Sequence, residues 1–199
     1  LTGYDRTVRN ADGSFQVETW RDLEYNEFEN LASYEKRTVD HMSLETHTTW
    51  SGRYDEFDRM TAYDQTTTDG FGTVRQVSTS DMTYNRFDDV LSYKEVATEN
   101  GVSRTKVVSG NEYDAKHNLL RTREELTEGS GRKSVREWWT DPSQPGMGYN
   151  ERGNVLGYHE KVTMEGVTVE RTVTGITYDA LDRQNGSFEV SRTSGLRSD

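Results

Sequence analysis

The sequence predicts an all-β protein made of tandem β-hairpin repeats of about 30 residues, and three observations carry that expectation. A tyrosine followed by Asp or Asn recurs at Tyr25-Asn26, Tyr54-Asp55, Tyr84-Asn85, Tyr113-Asp114, Tyr149-Asn150 and Tyr178-Asp179, at successive spacings of 29, 30, 29, 36 and 29. Between these dipeptides, apolar and polar residues alternate with the period of two expected of a strand with one buried face. Turn signals then fall midway between one dipeptide and the next.

The columns around each tyrosine agree. Three residues on stand Phe28, Phe57, Phe87, Lys116, Arg152 and Leu181. Five on stand Asn30, Arg59, Asp89, Asn118, Asn154 and Arg183. Nine on, a second tyrosine appears at Tyr34, Tyr63, Tyr93 and Tyr158, and Thr122 and Ser187 break that column. Tyr4, in Leu1-Thr2-Gly3-Tyr4, matches the wording of Leu156-Gly157-Tyr158 and reads as the second tyrosine of an earlier repeat. Ahead of the first tyrosines stand Trp20-Arg21-Asp22, Trp50-Ser51-Gly52, Val108-Ser109-Gly110 and Val173-Thr174-Gly175. The ten tyrosines of the two columns are the expected structural residues, and the six first tyrosines are expected in equivalent positions, most of them substantially buried.

The unit from Tyr149 shows how a repeat folds. Leu156, Tyr158, Val162 and Met164 alternate with Gly157, His159, Lys161 and Thr163. Glu165-Gly166 supplies a turn, and Val167, Val169 and Val173 run back in alternation with polar residues. Two strands around a short glycine turn make a hairpin. Asp12-Gly13, Asp69-Gly70, Asn100-Gly101 and Gly129-Ser130-Gly131 serve as the matching tips, while the tip at Asp40 to Ser43 has no glycine. The Tyr-Asp-x-x-Asp-Arg segment is the second turn, in which Asp or Asn bonds its own backbone. Residues 1–199 thus read as one array, with an insertion at about 138–148 that holds Pro142 and Pro145. The array spirals or extends, as a β-solenoid, ribbon or shell segment.

Composition narrows the function. Only 31% of residues are hydrophobic and the mean hydropathy is -0.98, as for a thin sheet rather than a thick core. A net charge of -11 argues against nucleic acid and against an anionic membrane surface. No apolar run reaches the roughly 20 residues that cross a bilayer. Zero cysteines exclude disulfides and thiolate metal sites.

No residue pattern marks a catalytic, cofactor or metal site. His41 and His47 are six apart and have no ligand-spaced partners, and His117 and His159 stand alone. Asp and Asn recur at turns without an EF-hand or RTX pattern, so turn capping accounts for them. Trp20, Trp50, Trp138 and Trp139 suit a sugar-stacking platform, yet their column also holds Val108 and Val173, which points to packing. Trp138 and Trp139, beside the insertion, are the candidate binding residues, because irregular loops on rigid scaffolds often carry binding.

Tyr178-Asp179-Ala180-Leu181-Asp182-Arg183 and Tyr54-Asp55-Glu56-Phe57-Asp58-Arg59 resemble the YD-repeat signature of Rhs proteins, toxin-complex shell proteins and teneurins. Tyr149-Asn150-Glu151-Arg152-Gly153-Asn154 keeps the usual glycine but has Asn for Arg. The resemblance implies a large secreted or cell-surface protein built from a spiralling hairpin sheet, acting as a shell around a toxic domain or in cell adhesion. The repeat here is longer than the usual unit of those shells. The expected role is therefore a structural or adhesive segment of a fibre, stalk or shell, without enzymatic activity or cofactor. The alternative is a glycan- or protein-binding module, or part of a toxin-encapsulating shell. The expected partners are flanking repeats or further copies, and cell-surface glycan or protein. The chain starts at Leu1 and shows no capping unit, so it reads as an internal segment of something longer.

Overall fold

The computed structural model describes residues 3–195; Leu1 and Thr2 of the leading motif lie outside the described residues. Among the described residues there is no helix. The strands are β1 (Gly3–Arg9), β2 (Phe15–Tyr25), β3 (Leu31–Asp40), β4 (Glu45–Tyr54), β5 (Met60–Thr68), β6 (Val74–Tyr84) and β7 (Val90–Glu99). They continue as β8 (Val102–Tyr113), β9 (Leu119–Glu128), β10 (Lys133–Trp139), β11 (Gly148–Tyr149), β12 (Val155–Met164), β13 (Val167–Tyr178) and β14 (Gln184–Ser194). Hydrogen-bonded order follows chain order, except that the two-residue β11 lies off the path and pairs with β12. Neighbouring strands pair antiparallel, from β1 through β6 and from β9 through β14. The chain divides into two compact units, an upstream one of residues up to Met82 with Lys94–Arg104, and a downstream one of Thr83–Tyr93 with the residues from Thr105 on.

The turns after the first tyrosines are alike in all six places. The amide after each tyrosine donates to the carbonyl four residues later, at 2.9–3.0 Å, from Asn26 to Asn30 through Asp179 to Arg183. The side-chain Oδ1 of that Asp or Asn accepts two backbone N–H groups, two and four residues on. The fourth residue after the tyrosine has positive φ at Glu29, Asp58, Asp88, His117, Gly153 and Asp182. This is a three-residue hairpin loop, a type I turn closed by one left-handed residue. Asp and Asn hold it because a short side-chain acceptor satisfies two amides that no strand can reach.

The opposite tips use two designs. Asn100-Gly101 and Glu165-Gly166 have positive φ at both residues, as a type I′ turn requires. The tips at Asn10, Asp40, Asp69 and Glu128 repeat the three-residue loop. At Asp40 the left-handed residue is Ser43, with φ 65°, so this tip closes without glycine. At Asp69 the left-handed residue is Gly72, whereas Gly70 packs beside the Glu45 backbone.

A parity rule keeps each strand's side chains on the correct face. Trp20 precedes Tyr25 by five residues, but Trp50 precedes Tyr54 by only four. A bulge at Asp22, with φ 51°, breaks the β2–β3 register between Arg21 and Glu24 and absorbs the extra residue. Gly175, with φ 63°, does the same in β13. Trp and Tyr therefore share a face in both strands, since a one-residue slip would flip them. At Gly52 the Trp50 ring occupies the place of a side chain, a Cβ there lying 2.4 Å from it.

Burial is shallow, as a one-layer sheet demands. Among the described residues no large side chain is fully buried, and the buried hydrophobics are Ala62, Ala97, Val108, Met147, Val173 and Ile176. Five of the six first tyrosines are largely covered, as expected, though none is fully enclosed. Tyr25 is 49% exposed, and Tyr54, Tyr84, Tyr113, Tyr149 and Tyr178 are half-buried. The second tyrosines, Tyr34, Tyr63, Tyr93 and Tyr158, are also half-buried.

The irregular segment is narrower than expected. Trp138 and Trp139 belong to β10 and pair with β9 on one side and β12 on the other, so the irregularity begins at Thr140. It is not a loose bulge. Buried Thr140 donates its Oγ1 hydrogen to the Gly157 carbonyl and accepts from the Gly148 amide, both at 2.6 Å. Asp141 caps Ser143, and Met147 is buried above Gly157, where a Cβ would meet the Gly146 carbonyl at 2.3 Å.

Candidate binding face

One face of the sheet carries the functional candidates, and strand pairing builds it row by row. In the upstream unit Tyr4 opposes Trp20 and Tyr34 opposes Trp50, while Tyr63 opposes Thr79. The rings of Tyr4, Trp20, Tyr34, Trp50 and Tyr63 follow one another at centroid distances of 5.7, 4.8, 5.6 and 6.5 Å. Offset contacts of this kind add to the apolar burial of each ring. In the downstream unit Thr122 stands opposite Trp138 and Tyr158 opposite Val173, with the Trp138 and Tyr158 rings 5.7 Å apart.

A row of charges runs beside the rings. Upstream, Glu18 is 2% exposed and accepts from Arg6, Lys36 and Gln16 at 2.7–3.1 Å. Its burial pushes the carboxyl up, but the Lys36 and Arg6 bonds outweigh it, and the group sits below the usual carboxylate range. Downstream the row becomes an alternating ladder. Arg136 meets Glu124 at 3.5 Å and Glu160 at 2.6 Å, and Arg171 meets Glu160 at 2.5 Å and Glu189 at 3.9 Å. Glu160 is 9% exposed and holds two guanidinium groups. Both buried carboxylates are engaged by cations. Sequence reading missed this ladder because its members are neighbours only through strand register.

The first tyrosines bind backbone across strands. Tyr54, Tyr113, Tyr149 and Tyr178 donate their hydroxyl hydrogens to the carbonyls of Leu31, Val90, Leu119 and Val155. Each acceptor stands six residues after the preceding first tyrosine. Burial raises all four phenol groups, Tyr149 most, to about 12, with Asp114 and Tyr178 adding to the effect. None is set up as a nucleophile at neutral pH.

Trp138 and Trp139 do not form one platform. Consecutive strand residues point to opposite faces. Trp138 packs against the tilted ring of Tyr158, and Trp139 stacks on His159 at 5.2 Å on the other face. His159 Nδ1 lies 2.9 Å from Thr172 Oγ1, and His117 Nδ1 lies 2.9 Å from the Asp89 carboxylate. Among the described residues no group of three His, Asp or Glu is placed to hold a metal ion. A groove of about 320 Å³ opens on the ring face between Tyr93 and Trp138, over Val108 and Thr122.

No family model matches the chain, and no curated protein matches it.

Proposed function

We propose that this chain is a structural or adhesive segment of a large secreted or cell-surface YD-repeat protein, forming part of a fibre, stalk or shell. The unit is a hairpin of about 30 residues beginning at each first tyrosine. The observation that carries the reading is the recurrence of one turn in six places, tied by four tyrosine hydroxyls that reach the carbonyl six residues past the preceding tyrosine. Such a design adds length by adding units, each stabilised mainly by its neighbours. The engaged carboxylates and raised phenols support a structural role over a catalytic one. Partners, on this reading, are flanking repeats or copies of the same protein.

Stretching single molecules tests it. A load-bearing array yields in steps, each releasing one unit of 29 residues, about 100 Å of extended chain. One abrupt release of the whole chain at low force contradicts the reading. Antibody labelling of intact producing cells tests the surface location, and signal only after lysis contradicts it.

A further inference from the structure

The turn that follows one first tyrosine touches the turn of the next repeat through two columns. The residue five after one tyrosine meets the residue four after the next. Asn30 Nδ2 donates to Asp58 Oδ1 at 2.9 Å, and Asn154 Nδ2 donates to Asp182 Oδ1 at 2.8 Å. Asn118 faces Gly153, where a Cβ would lie 3.4 Å from Asn118 Oδ1. Asp89 meets His117, its two carboxylate oxygens 2.9 and 3.1 Å from Nδ1. A carboxylate only accepts, so His117 Nδ1 carries the hydrogen. Donor and acceptor are therefore exchanged at this pair.

The exchange has a consequence for which repeat can follow. An amide in the fifth position can turn to offer either its N–H or its oxygen, but a carboxylate cannot. The Asp89 side chain is only 12% exposed and already accepts from Asn85 Nδ2 at 2.8 Å. A second carboxylate brought against it is poorly screened by water. Three other repeats carry Asp where this one has His117, namely Asp58, Asp88 and Asp182, and all four residues have positive φ. The backbone thus accepts Asp at that place, and only the charge of Asp89 opposes it.

We propose that the residue five after each first tyrosine is where one repeat recognises the next, and that Asp89 makes this recognition selective. It accepts a following repeat that presents a donor, as His117 does, and rejects one that presents Asp. Discrimination of this kind comes from the repulsive contact as much as from the attractive one. The inference rests on the repeat-array reading above, and it adds a restriction at one junction to an otherwise interchangeable scaffold.

Urea melts of the full chain at neutral pH test it. His117→Asp sets a second carboxylate against Asp89 and should raise the unfolding equilibrium constant about five- to tenfold. Added salt should shrink that loss. Combining it with Asp89→Asn rebuilds the set found at Asn26, Asn30 and Asp58, and should bring the constant back to within about threefold of the unaltered protein. Asp58→His, which faces the adaptable Asn30, should also stay within about threefold. A harmless His117→Asp, a double variant no more stable than His117→Asp alone, or an Asp58→His as damaging as His117→Asp would overturn the proposal. Should His117→Asp fail to fold, a folded double variant supports the proposal and an unfolded one overturns it. Single molecules that extend in one abrupt release would remove the array reading, whereas stepwise extension with a harmless His117→Asp would remove the selection alone.

Discussion

On the ring face of the upstream unit, five aromatic rings follow one another from Tyr4 to Tyr63. In the downstream unit that row is thinned by Val108, Thr122 and Val173, and the neighbouring row becomes the ladder Glu124, Arg136, Glu160, Arg171, Glu189. The turns do not change with the face. Asn26 and Asp55 upstream, and Asn85, Asp114, Asn150 and Asp179 downstream, cap the same two amides. Local turn chemistry therefore sets the scaffold. Cross-strand contacts on one face then stabilise it in either of two ways, by ring stacking or by alternating charge.

The largest expected effect breaks the ring row. Trp50→Ala removes the ring between Tyr34 and Tyr63 and should cost about 3 kcal/mol, the low end for a large aromatic because the ring is half-buried. Urea melts measure the loss, and hydrogen exchange should place it in β3 to β5. The cost should be the same at low and high salt.

Next comes the ladder. Glu160→Ala leaves Arg136 and Arg171 without their shared partner and should cost about 1–3 kcal/mol, moderated by the partly exposed guanidinium groups. Unlike the ring effect, this one should shrink as salt is added, because salt screens exposed charge. A cost independent of salt would mean that packing of the glutamate stem, not charge, is what the ladder contributes.

Tyr149→Phe removes the hydroxyl bond to Leu119 and should cost about 1 kcal/mol. The same residue gives an alkaline signature. Its phenol titrates near 10 when unfolded and is raised to about 12 when folded, so its stabilisation is complete below pH about 10. That stabilisation is lost as pH rises from about 10 to about 12, since the unfolded chain releases its proton first. The Phe variant should lose this part of the alkaline slope.

The smallest effect is a gain. Glu29 holds the left-handed position that Gly153 fills in another turn. Glu29→Gly should stabilise the upstream unit by about 0.5–1 kcal/mol in a thermal melt, because glycine adopts positive φ without strain.

Much of the scaffold was legible in the sequence because it is local. An Asp or Asn two residues before an amide it can cap, and a Gly where φ is positive, act within five residues. The Asp40 tip was less legible because Ser43 takes the left-handed place without glycine. Face assignments were harder. Trp20 and Trp50 stand at odd and even distances from their tyrosines, and only the bulge at Asp22 shows that both face the same way. The charge ladder was illegible because Glu124 and Glu189 lie far apart in the chain and are joined only by register through β10, β12 and β13. For Trp138 and Trp139 the period of two already places them on opposite faces. Nothing local marked Thr140 as the clip that ties the irregular segment to Gly157.

The central claim is that the scaffold is modular, with interchangeable units starting at each first tyrosine. Deleting residues 25–53 tests it most directly, because Glu24 then joins Tyr54 just as it now joins Tyr25. The account predicts a folded β-protein in which Trp20 packs against Tyr63 as it now packs against Tyr34, seen as NOEs between the two rings. Its urea m-value should fall by about one seventh, in proportion to the 29 residues lost from 199. A deletion variant with a collapsed, undispersed spectrum, or one that folds without the Trp20–Tyr63 contact, would contradict the account.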